Sequence, residues 1–134
     1  MRKDSFKKKG DYINSMVKVY PVIVCKEEDS VRKIAKLLKS KKERRVFVVN
    51  KDKKLVGVVT TTDLVYNFLA TAKQDAKAKD IMTKKVLAID KDDTIEKALE
   101  VMNKVKNYVC PVVDDGKIVG ILRHNDIVKF LMSN

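Results

Sequence analysis

The chain is 134 residues long and carries 30 Lys and Arg against 18 Asp and Glu, a formal net charge of +12. With 45% hydrophobic and 36% charged residues it has apolar material for one sizeable core, or for two small ones sharing an interface. That excludes a disordered polycation and a disulfide-stapled mini-protein. Cys25 and Cys110 sit in apolar runs without CxxC or Cys/His spacing, so buried thiols in a reducing cytosol are expected, with no disulfide and no metal site. No apolar run approaches the roughly 20 residues of a membrane span. The lysine-rich N-terminus lacks the apolar centre of a secretory signal, so a soluble, cytoplasmic protein is expected. The charge is uneven: residues 1–67 hold 18 basic and 8 acidic side chains, residues 68–134 hold 12 and 10.

The expected organisation is a basic arm over 1–15, a first repeat over 16–70, a polar linker over 71–79 and a second repeat over 80–134. An offset of 64 sets Ser30-Val31 over Thr94-Ile95 and Val48-Val49 over Val112-Val113. One turn is a residue shorter in the second copy, after which an offset of 63 sets Leu55–Val59 over Ile118–Leu122 and Asp63 over Asp126.

Each copy predicts the same order of elements. A short strand (Val22–Cys25, Val86–Ile89) precedes a hydroxyl N-cap at Ser30 or Thr94 and an amphipathic helix. A buried strand (Val46–Val49, Cys110–Val113) then turns into its hairpin partner (Leu55–Val59, Ile118–Leu122). A last helix opens near Asp63 or Asp126 and runs through Leu69 or Met132. The fold class is therefore α/β in the α+β sense, two β-α-β-β-α repeats, each too small to bury much alone.

No catalytic constellation is visible, and a lone histidine, His124, is more often a hydrogen-bonded surface side chain than a catalyst. The chain is not expected to be an enzyme, and no obligatory cofactor is expected. The repeated strand-to-helix junction is the informative feature: Gly57-Val58-Val59-Thr60-Thr61-Thr62-Asp63 and Gly120-Ile121-Leu122-Arg123-His124-Asn125-Asp126. Free helix amides and the positive dipole end attract phosphate there. Thr60 or Arg123 can bond a phosphate oxygen, and a carboxylate at Asp63 or Asp126 accepts two bonds at once, which suits a ribose. The simpler alternative is that Thr62, Asp63, Asn125 and Asp126 only cap helices.

The duplicated order, the strand Cys110-Pro111-Val112-Val113-Asp114, the junction Gly57–Asp63 and the opening Ile81-Met82-Thr83 together resemble a tandem pair of CBS domains over residues 16–134. The resemblance is to the regulatory unit called a Bateman module, and a stand-alone protein of prokaryotic or archaeal type is expected. The resemblance implies a pseudo-two-fold intramolecular pair whose clefts bind adenosine-containing ligands: AMP, ADP, ATP or S-adenosylmethionine. Carried over, one cleft would combine Gly57, Val58, Val59, Thr60 and Asp63 with Lys85, Val86 and Tyr108, Val109, Cys110 and Pro111. The other would combine Arg123, His124 and Asp126 with Tyr20, Pro21, Val22 and Arg44, Arg45, Val46. Two positions depart from the family pattern. Arg123 stands for its Thr or Ser, and Phe47 for its first-copy Pro. The second cleft would then take a phosphate-rich ligand, or else its arginines are solvated.

The family also associates face to face into disc-like homodimers through helices equivalent to Val65–Leu69 and Ile127–Met132, where Phe68, Leu69, Phe130 and Leu131 are apolar. An unknown regulated protein is a further expected partner; a membrane is not. Two alternatives stand beside ligand sensing. One is a ligand-free oligomerisation scaffold. The other is a nucleic-acid (DNA or RNA) binder using the arm and Lys39–Arg45, although aromatics are only 6% and tryptophan is absent.

Overall fold

The computed structural model describes residues 20–72, 75–105 and 109–132. The basic arm and Tyr108 lie outside them. The described chain forms two compact units: Val22–Val86, and Leu87 onward joined by Tyr20 and Pro21.

The first unit holds β1 (Val24–Lys26), α1 (Val31–Lys41), β2 (Arg45–Val49), β3 (Leu55–Thr60), α2 (Thr61–Thr71) and a short α3 (Ala78–Ile81). Its sheet has the order β1-β2-β3, β1 parallel to β2 and β3 antiparallel. β2 is buried along Val46–Val49, as an apolar run covered on both faces requires. Ser30 caps α1, its hydroxyl accepting from the Lys33 amide at 3.1 Å, and Val31, Ile34 and Leu38 turn into the core. Cys25 joins that core, and burial, reinforced by Asp29, pushes its thiol up to about 12.

The expected linker is fixed in its second half. The Val31 amide donates to the Ala76 carbonyl at 2.8 Å and the Ala78 amide to the Asp29 carbonyl at 2.8 Å, and Ala78 is fully buried. Glu28 receives Lys77 at 2.6 Å and Lys79 at 2.8 Å, and hydrogen bonds from these two ammonium groups hold its carboxyl down to about 2. Beyond α3 the chain runs along the far edge of β3, where Val58 and Thr83 exchange both amide bonds.

The second unit repeats the plan with β4 (Ile89–Asp90), α4 (Ile95–Val105), β5 (Val109–Asp114), β6 (Lys117–Arg123) and α5 (His124–Met132). Its sheet has the order β4-β5-β6. Thr94 caps α4 as Ser30 caps α1, accepting from the Lys97 amide at 3.1 Å. The core gathers Ile89, Ile95, Ala98, Met102, Cys110, Val112, Leu122, Ile127 and Leu131. Tyr20 lies on the free edge of β6 and exchanges both amide bonds with Ile121. Among the described residues no helix is long and apolar enough to cross a membrane, and no group of His, Cys, Asp and Glu is placed to hold a metal ion.

Two expectations shift. The first strand of each copy starts later than the apolar run suggests, at Val24 and Ile89 in place of Val22 and Val86. The last helices open earlier, at Thr61 and His124, so that Asp63 and Asp126 are each the third helical residue.

Candidate functional site

The two strand-to-helix junctions are built on one plan and finished differently. In the first, Thr60 is the N-cap of α2: its hydroxyl accepts from the Asp63 amide at 3.2 Å, while Asp63 Oδ2 accepts from the Thr60 amide at 2.8 Å. The Thr60 hydroxyl also donates to Asp63 Oδ2, at 3.0 Å. This capping box satisfies two otherwise orphaned donors at the helix start. Both of these bonds to the carboxylate fall on Oδ2. The first α2 amide, of Thr61, donates to the Arg44 carbonyl at 2.9 Å, and Arg45 pairs with Thr60 across the β2–β3 ladder. Arg44, Arg45, Thr60 and Asp63 are thus neighbours at one end of the first sheet. Beside this cluster Arg44 is exposed and Val46 and Val59 are fully buried, their side chains turned into the core.

Gly57 is fixed by a close approach. A Cβ there would lie 2.5 Å from Met82 Sδ and 3.0 Å from the Thr83 carbonyl oxygen, so only glycine lets the 82–83 segment close on β3. Lys85, exposed, and Val86, half-buried, follow this segment and belong to the same unit as Thr60 and Asp63.

In the second junction Arg123 occupies the position of Thr60 and cannot make its capping bond. Instead its guanidinium lies over the Tyr20 ring, 4.4 Å from the centroid, a cation–π contact. The Tyr20 hydroxyl donates to Asp126 Oδ1 at 3.3 Å, and Asp126 Oδ2 is buried with no hydrogen-bond partner among the described residues. A buried carboxylate oxygen without a donor costs about 1–3 kcal/mol in lost hydration. His124 opens α5 half-buried, with Pro21 exposed and Val22 and Val109 half-buried; Cys110 and Pro111 are buried in β5.

The sequence-predicted residues therefore fall into two groups. Gly57–Asp63, Arg44–Val46, Val22, Lys85 and Val86 share the first unit; Tyr20, Pro21, Val109–Pro111, Arg123, His124 and Asp126 share the second. Sequence reasoning missed Met82 and Thr83 as the wall against Gly57, and the Tyr20–Arg123–Asp126 cluster. The two bridges are equivalent, Val58 with Thr83 matching Ile121 with Tyr20, but the repeat offset of 64 that holds before the turn sets Tyr20 over Lys84, so the alignment did not signal them.

Comparison with known proteins agrees with this duplicated plan. Two uncharacterized proteins of Methanocaldococcus jannaschii are 35% identical over 111 residues and 39% identical over 103 residues, covering 80% and 76% of this chain. The chain spans 60% and 33% of the length of those relatives. Among solved structures, the CBS domain pair of protein MJ0100 in complex with 5′-methylthioadenosine and S-adenosyl-L-methionine matches with a TM-score of 0.67 and 26% identity. The match covers 91% of this chain and 96% of that one. CBSX2 in complex with AMP matches with a TM-score of 0.69 and 27% identity, again over 91% and 96%. The sequence pattern of the CBS domain fits residues 10–70 and again residues 78–133, and the chain belongs to the CBS-domain family as a tandem pair.

Proposed function

We propose that this chain is a regulatory, non-catalytic cytoplasmic module that senses an adenosine-containing ligand, such as AMP, ADP, ATP or S-adenosylmethionine, at its strand-to-helix junctions. The observation that carries the reading is Asp126 Oδ2, a buried carboxylate oxygen without a donor beside an arginine stacked on a tyrosine. A ribose supplies the missing donor through its vicinal hydroxyls, and a phosphate would find the Arg123 guanidinium and the amides that open α5. The first junction offers Asp63 Oδ1 in the same place, but its Thr60 hydroxyl already donates to Asp63, so phosphate recognition there requires that bond to break. The second junction is the better prepared of the two. The ligands in the two solved relatives, an adenine nucleotide and two adenosyl thioethers or sulfonium compounds, share the ribose that this carboxylate would hold.

Face-to-face association into a homodimer through the α2 and α5 helices belongs to the same reading. Ligand would act on a separate protein, or on the dimer itself, by binding two arrangements unequally.

Calorimetric titration of AMP, ADP, ATP and S-adenosylmethionine tests this. Asp126→Ala, which deletes two charge-assisted bonds, should weaken the best ligand by about 100-fold or more. Asp63→Ala should weaken any first-junction binding and leave the second unchanged. If none of the four binds the wild type, or Asp126→Ala binds as the wild type does, the reading fails.

A further inference from the structure

The second junction keeps its two opposite charges apart. Arg123 and Asp126 stand at the positions where Thr60 and Asp63 of the first repeat bond each other directly. Yet the Arg123 guanidinium lies 4.4 Å from the centroid of the Tyr20 ring, and Asp126 takes the Tyr20 hydroxyl at Oδ1 and no partner among the described residues at Oδ2. One tyrosine thus holds both, its ring the cation and its hydroxyl the anion. Its own place is fixed by the backbone, whose amide bonds with Ile121 on β6 measure 3.1 and 3.0 Å.

Stacking engages the flat face of a guanidinium and leaves its N–H donors in the plane around it. Arg123 is exposed, so a ligand can reach those donors. A nucleoside whose vicinal hydroxyls are held by Asp126 carries its 5′ group one sugar ring away, within the span of an arginine side chain. What the guanidinium meets there depends on that group. A phosphate accepts two donors at once in the geometry a guanidinium favours. A thioether sulfur accepts only weakly, and a sulfonium is itself a cation and is repelled. At the equivalent position of the first junction the Thr60 hydroxyl has no charge and already donates to Asp63.

We propose that Arg123 makes the second junction selective for nucleoside 5′-phosphates over 5′-thioethers and sulfonium compounds. Tyr20 is the positioning residue, holding the guanidinium beside the carboxylate until a phosphate takes it. The proposal rests on the adenosine-sensing reading above and names the ligand class within it. An exposed cation–π contact is weaker than a bidentate bond to phosphate, so the exchange runs towards the ligand.

AMP and 5′-methylthioadenosine test this directly, because they share adenine and ribose and differ only at the 5′ group. Both are titrated calorimetrically into the chain, and the binding event lost in Asp126→Ala is the second junction's. At that event the wild type should favour AMP over 5′-methylthioadenosine by about 10- to 100-fold. Arg123→Thr should weaken AMP by about tenfold or more and leave 5′-methylthioadenosine within about threefold of the wild type, and Arg123→Gln should do the same. Tyr20→Leu should lower the preference for AMP, and Tyr20→Phe, which keeps the ring, should retain it. Circular dichroism verifies that each variant is folded. Equal weakening of both ligands in Tyr20→Leu overturns the positioning role of Tyr20. A wild type without preference for AMP, or a preference that neither Arg123 variant reduces, overturns the selectivity and leaves adenosine sensing standing. Binding of neither ligand, or no event lost in Asp126→Ala, overturns both.

Discussion

The last helix of the first repeat and the last helix of the second occupy equivalent places and are packed in opposite ways. α5 sends Ile127 and Leu131 into its core, 0% and 8% exposed. α2 buries none of its residues. At the position of Leu131 the first repeat has Phe68, more than half exposed. The strands differ as well. The Phe47 amide donates to the Ile23 carbonyl at 3.1 Å, extending the pairing of β1 with β2. Its counterpart Pro111 has no N–H to give, and β4 pairs with β5 over only Ile89 and Asp90. One repeat invests its apolar helix in its own core and the other holds it outward. Duplication therefore preserved the backbone plan while separating a packing role from a surface role.

Three measurements would break or sharpen this contrast. Leu131→Ala should cost about 2–4 kcal/mol in urea unfolding, whereas Phe68→Ala should cost under about 1 kcal/mol when measured on monomer. Equal costs would mean that α2 is packed as α5 is. Gly57→Ala should cost about 1–3 kcal/mol, because the new methyl meets Met82 and a backbone oxygen at once. An unchanged midpoint would show that the 82–83 segment yields.

The smallest effect concerns Glu28 and its two lysines, a tie that holds the linker to the first repeat. Its folded carboxyl lies below the ordinary value of 4.5, at about 2, so the stabilisation is complete above 4.5 and is lost as pH falls from 4.5 towards 2. Because the group is exposed, Glu28→Gln should lower Tm at neutral pH by no more than about 2 °C and flatten the acid limb of the stability curve in that window. A larger drop at neutral pH would mean that the linker tie is shielded from solvent.

Much of this was legible. The repeat offset, the order of elements and the caps at Ser30 and Thr94 all follow from local pattern, because capping and amphipathic periodicity are decided within a few residues. The junction residues were legible as a motif, since glycine, two apolar residues and an acid recur in both copies. Less legible was what each residue does there. The acid at Asp63 suggests a helix start there, but the Thr60-to-Asp63 spacing is that of a capping box, which puts the acid at the third helical position and the start at Thr61. The stacking of Arg123 on Tyr20 joins residues 103 positions apart and the Val58–Thr83 bridge joins two segments across the intervening α2 and α3, and nothing local reports either contact. The burial of Ala78 is hidden in the sequence by its lysine neighbours Lys77 and Lys79, which pair with Glu28 at the surface.

The bridges of Tyr20 to Ile121 and of Thr83 to Val58 also set an order of events during synthesis. The free edge of β3 stays open until residue 83 has left the ribosome, and Tyr20, made near the start of the chain, has no partner until β6 has been made. An uncovered edge is a template for the wrong partner, and long-range pairing is slow to form. Neither repeat can be completed from its own stretch of sequence, so a chain cut between them would leave both halves with an unpaired β edge exposed to aggregation.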